Sequence, residues 1–175
     1  MAILSIFIVL ILSAIFWQDI RTFRIYWFFF PLLTLSWWLR DLIVLHERWV
    51  DIVQQSAIIL GFLLLQWIMV SGYFSLRKGK WINLTLGFFG WGDVLFLVSI
   101  SFGLSFVNFL VFYILSLIVI LVGVAFMKRF YGFSWQWIPL AGLQSFLLAF
   151  LILFWTFFPK GEFYWDGLLQ QYFSR

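Results

Sequence analysis

Residues 1–24 read MAILSIFIVLILSAIFWQDIRTFR: an apolar run from Met1 to Trp17, then Gln18 and Asp19, then Arg21 and Arg24. A secretory signal would open on a basic residue and close on a small-residue cleavage site. No basic residue precedes this run, and Ile15, Phe16 and Trp17 follow its small residues Ser13 and Ala14. The segment is therefore expected to be a retained helix that crosses a membrane, with an acid at its end.

Working outward, five further stretches approach the ~20 apolar residues that a spanning helix needs. With the first they lie at about 2–18, 23–39, 53–73, 84–106, 108–127 and 136–158. The fourth is interrupted by Gly87, Gly90, Gly92 and Asp93, so an irregular start is expected there. The fourth and fifth are parted only around Ser105 to Asn108, which demands a tight turn. The expected fold is all-α, polytopic, with about six transmembrane helices; the same pattern is compatible with five or seven. No internal repeat is evident. The chain divides into a membrane domain, 1–158, and a polar-aromatic tail, 159–175, with Phe163, Tyr164 and Trp165 expected at the interface.

Composition agrees. The chain is 65% hydrophobic and 10% charged, against about 45–50% and about 25% for a soluble domain. Too little polar surface exists to cover a water-soluble globule, so the lipid bilayer is the expected partner. The net charge of +4 is spread over short loops, which argues against nucleic acid. There is no cysteine, hence no disulfide, thiolate metal site or cysteine nucleophile. The single histidine, His46, cannot build a metal site alone and reads as a solvated loop residue; no metal or cofactor is expected.

Basic residues collect on the cytoplasmic side of membrane proteins. Counting alternate loops puts Arg21, Arg24, Arg77, Lys78, Lys80, Lys128 and Arg129 on one side, and Arg40, Arg48, Lys160 and Arg175 on the other. The first side is expected to be cytoplasmic, with both termini outside. Asp41, Glu47, Asp51, Glu162 and Asp166 fall on the outer side, where a solvated interface explains them. Only Asp19 and Asp93 fall on the cytoplasmic side. An acid near membrane depth is costly and is a functional hypothesis by default. Each has a plainer reading: Asp93 as a helix N-cap, Asp19 as an interfacial partner of Arg21 or Arg24. Together, as the two acids of one side, they point to a catalytic pair. Gln66, Asn83, Asn108 and Gln144 are expected to hydrogen-bond between helices, Gln144 with the alternative of reaching a polar cavity.

Gly90-Trp91-Gly92-Asp93 is a G-x-G-D motif, and Asp19-Ile20-Arg21-Thr22-Phe23-Arg24-Ile25 a D-x5-I stretch after the first helix. In both the chain resembles the type IV prepilin peptidases, integral membrane aspartic peptidases of the wider G-x-G-D class. Gly103, ten residues after Asp93, and Ile138-Pro139-Leu140-Ala141-Gly142 at the last helix extend the resemblance over about residues 1–158. Tyr26 and Trp27 stand where family members commonly have Pro and Asn, and Leu95 where they have Lys. The cysteine-rich insert of many members is missing, so their methylation activity is not expected. The resemblance implies an inner-membrane aspartic endopeptidase that cuts the basic leader from pilin-like precursors at the cytoplasmic face. Asp19 and Asp93 would be its catalytic pair, and Gly90 and Gly92 would ease backbone bending and substrate approach. Two carboxyls brought close cannot both ionise, which supplies one base for a water and one acid for the scissile carbonyl. A proton-coupled transporter using Asp93 and a non-catalytic assembly subunit on the same scaffold are the alternatives; the former is disfavoured by the missing inverted repeat.

Overall fold

The computed structural model describes residues 2–43, 49–78, 90–131 and 138–157. His46, Lys80, Asn83, Gly87 and the tail 159–175 lie outside them. Among the described residues the regular structure is all α-helix: α1 (Ala2–Thr22), α2 (Phe29–Ile43), α3 (Trp49–Lys78), α4 (Trp91–Ile100), α5 (Phe106–Tyr131) and α6 (Leu140–Phe157). Among the described residues, three helical stretches are long and apolar enough, by length and composition, to cross a membrane: Ile3–Thr22, Trp49–Arg77 and Phe106–Phe130.

Three corrections to the sequence-based boundaries bear on the acids. The first helix continues past residue 18, so Asp19 sits in its last turns. The second begins at Phe29 rather than 23. Residues 23–28 look as apolar as a helix, but Phe23 adopts a left-handed φ of 52° and closes α1 by donating its N–H to the Asp19 carbonyl (2.9 Å). Pro31 then falls in the first turn of α2, where a missing N–H costs little. In the fourth segment the helix starts at Trp91 behind an extended Gly90, which places Asp93 in the first turn.

Helix directions follow from side-chain pairs. Phe16 packs on Phe146 (4.9 Å between ring centroids), while Asp19 meets Gly142, so α1 and α6 run antiparallel. Ser99 donates to the Phe30 carbonyl (3.2 Å) and Arg40 to that of Gly103 (3.3 Å), so α2 and α4 run parallel. Phe62 meets Phe106, and Gln66 donates to the Tyr113 hydroxyl (2.8 Å), so α3 and α5 run parallel. Gln144 donates to Ser116 between α6 and α5 (3.1 Å). The result is an up-and-down bundle with α1, α3 and α5 pointing one way and α2, α4 and α6 the other. Asp19, Asp93, Arg21, Arg77, Lys128 and Arg129 all lie near one end; Arg40, Asp41 and Asp51 lie near the other.

The core is a stripe. On α1 it is Ile8, Ile11, Leu12 and Ile15; on α4 it is Phe96, Leu97 and Ile100. Asp19 is four residues past Ile15 and Asp93 three before Phe96, so each acid extends a buried helical face. Among the described helices, α1 and α6 are the most extensively packed pair. Buried Ala141, Ser145 and Ala149 keep side chains small there, which is how helices approach closely when lipid offers no hydrophobic drive between them. The Gln66–Tyr113 and Gln144–Ser116 hydrogen bonds add about 0.6 kcal/mol each on average. Gln144 is fully buried on Ser116.

At the far end Asp41 corrects the expectation of a solvated acid. It is 5% exposed and ion-paired with Arg40 (2.7 Å). The Arg40 guanidinium also lies over the Trp37 ring (4.3 Å). Trp37 in turn covers Gly103, where a Cβ would run into the indole. Gly103→Ala should therefore lower the stability of the detergent-solubilised protein by about 1–3 kcal/mol, the usual cost of overpacking. Gly61→Ala and Gly123→Ala, whose Cβ atoms would meet open space, should not; thermal unfolding followed by circular dichroism compares the three.

Candidate active site

The first turn of any α-helix leaves its N–H groups without intrahelical acceptors. In α6 the first intrahelical bond runs from Leu143 N–H to the Pro139 carbonyl (3.1 Å). The amides of Ala141 and Gly142 must therefore find partners elsewhere. They find the two acids: Ala141 N–H donates to Asp93 Oδ1 (2.8 Å) and Gly142 N–H to Asp19 Oδ2 (2.7 Å). Consecutive residues of one helix thus carry carboxylates delivered by two others. The positive end of the α6 dipole favours negative charge at this place.

Asp93 is held a second way. Its Oδ2 accepts the N–H of Gly90 (3.2 Å), three residues back. Asp93 is thus the third residue of α4 and reaches back to the capping residue; it is not itself the N-cap. Both its oxygens are engaged. Asp19 is 6% exposed; its Oδ1 accepts no hydrogen bond among the described residues. Asp19 forms no ion pair with Arg21 or Arg24 among the described residues; the Arg21 guanidinium lies over Trp17 instead (4.0 Å). The two acids are neighbours, since their acceptor oxygens sit on adjacent amides of one helix.

The glycines do different things. A Cβ on Gly142 would lie 2.8 Å from Asp19 Cβ, closer than real Cβ atoms come, and a tight 3.0 Å from Oδ2. A Cβ on Gly90 would meet Asp93 Oδ2 at 3.2 Å. Gly92 faces Ile25, whose Cδ1 would lie 3.3 Å from an added Cβ. Ile25 is the last residue of the D-x5-I stretch, so the two motifs touch. The turn that delivers it is folded by polar side chains. Gln18 Oε1 accepts the Tyr26 N–H (3.2 Å), and the Thr22 hydroxyl lies 2.9 Å from the Gln18 carbonyl and 2.8 Å from that of Arg24.

The structure thus brings Asp19, Asp93, Gly90 and Gly92 together at one end of the bundle. It adds Ile25, Ala141 and Gly142. The signal for the last two was the Pro- and Gly-containing stretch Ile138-Pro139-Leu140-Ala141-Gly142. No cluster of three metal-ligating side chains occurs among the described residues. What the arrangement offers is two neighbouring carboxyls fixed by backbone donors, the equipment for acid–base work on a water. Gly92→Leu should destabilise the fold by about 1–3 kcal/mol through overpacking, and Ile25→Ala should recover much of that loss by vacating the contact. A double-mutant cycle on unfolding midpoints measures the coupling.

A comparison of the chain with protein-family models, with curated proteins and with solved structures finds no match.

Proposed function

We propose that this chain is an aspartic endopeptidase of the inner membrane that removes leader peptides from pilin-like precursors at the cytoplasmic face. In this reading it spans the membrane six times with both termini outside. The observation that carries the proposal is the pairing of Asp19 and Asp93 on the consecutive amides of Ala141 and Gly142. Side-chain chemistry supports it: one carboxylate takes a proton from a water, which attacks the scissile carbonyl. The other carboxyl gives its proton to the carbonyl oxygen. The tetrahedral adduct then collapses: its hydroxyl returns a proton to the second carboxylate, the C–N bond breaks, and the first carboxyl hands its proton to the leaving amine. Neither step needs a metal or a cofactor. A helical segment exposes no peptide bond to such a pair, so the substrate enters extended at the cut.

The same hydrogen bonds would also hold together a non-catalytic subunit, since both acids satisfy helix starts. Asp19→Asn and Asp93→Asn separate the two. Purified protein in liposomes is mixed with a precursor carrying a basic leader and an apolar helix. Each substitution should slow cleavage by on the order of a hundred- to ten-thousand-fold. Wild-type rate should be bell-shaped in pH, falling on the acid side as both carboxyls protonate and on the alkaline side as both ionise. Leader cleavage that survives in both Asn variants sinks the peptidase reading.

A further inference from the structure

We propose that Gly142 is a positioning residue of the acid pair: its amide and its missing side chain together hold Asp19 where it faces Asp93. This inference deepens the peptidase reading and takes its catalytic meaning from it. Two independent features converge on the same residue. Its N–H donates to Asp19 Oδ2 at 2.7 Å, the shortest bond made by either acid. Its Cα hydrogen points at Asp19 so closely that a methyl group would overlap the Cβ of the acid. Neither demand alone would single out glycine, because every residue but proline has an N–H. Together they require a residue that donates from the backbone and occupies no space beside it.

The neighbourhood fixes the amide in turn. Pro139 supplies the carbonyl for the first intrahelical bond of α6, and the Ser145 hydroxyl donates to the Gly142 carbonyl (2.7 Å). Phe146 packs on Phe16 one turn further along. The 141–142 step therefore cannot rotate without unpacking α1 from α6. Because Ala141 serves Asp93 and Gly142 serves Asp19, the relative placement of the two carboxyls is set by two successive peptide units joined at the Ala141 Cα. A displacement of Asp19 by one side chain at 142 separates the acids without touching Asp93.

The test uses the full chain in liposomes and two readouts. Dicyclohexylcarbodiimide modifies membrane carboxyls that are free to react, and peptide mass spectrometry assigns the modification to Asp19 or Asp93. Kinetics on the leader-bearing precursor give kcat and KM. Gly142→Ala adds volume. Replacing Gly142 by glycolate, which turns the amide into an ester, deletes the N–H and adds nothing. Both variants should label Asp19 several-fold faster than wild type, with Asp93 labelling unchanged and kcat reduced at constant KM. Gly123→Ala should match wild type in both readouts. Asp19 labelling at the wild-type rate in the ester variant overturns the proposal, whether or not Gly142→Ala folds. If wild-type protein cleaves nothing, the peptidase reading fails while the labelling result still decides the role of Gly142.

Discussion

A backbone N–H buried in an apolar surrounding has to be given an acceptor, and water is not there to supply one. At the start of α6 this requirement becomes the organising constraint of the molecule. Two orphan amides need acceptors, and α1 and α4 each bring one carboxylate. A neutral acceptor would have satisfied the amides. Carboxylates do so with charge assistance and gain from the helix dipole. The result is a pair of acids in a place where a pair would otherwise be repelled apart. Three helices distant in sequence are thereby tied at one point.

The number of helices and the location of the acids were legible because both depend on composition. Long apolar runs are conspicuous, and a lone carboxyl inside such a chain is more so. The buried faces were not legible, because lipid and protein interior select the same side chains. Ile6 is 52% exposed and Ile8 fully buried, yet nothing in their types separates them. Asp41 was misread for a related reason. Counting loop charges assigns sides of a membrane, but it cannot see that Arg40 folds over Trp37 and encloses its neighbour. The start of α2 was misplaced because the aromatic residues before it are apolar enough for a helix; what excludes them is the left-handed turn at Phe23. The role of Ala141 and Gly142 was hidden because it resides in backbone atoms that every residue but proline possesses.

The two motifs also acquire a mechanical relation that spacing alone does not express. Ile25 closes the D-x5-I turn and rests on Gly92, so the end of α1 and the start of α4 are packed as well as electrostatically linked. Gln18 and Thr22 shape the intervening turn through hydrogen bonds to Tyr26 and Arg24. The side chains at positions 23, 26 and 27 are exposed and are free to vary without disturbing that contact.

α4 and the turn after it are gripped from both directions. Asp93 is fastened to Ala141 at one end, and the Gly103 carbonyl is fastened to Arg40 at the other. The nine residues between them therefore act as a ruler. Inserting or deleting one residue would rotate one anchor by about 100° about the helix axis and shift it by about 1.5 Å relative to the other. No single register would then satisfy both. Over evolutionary time this segment should accept exchanges of side chains far more readily than changes of length.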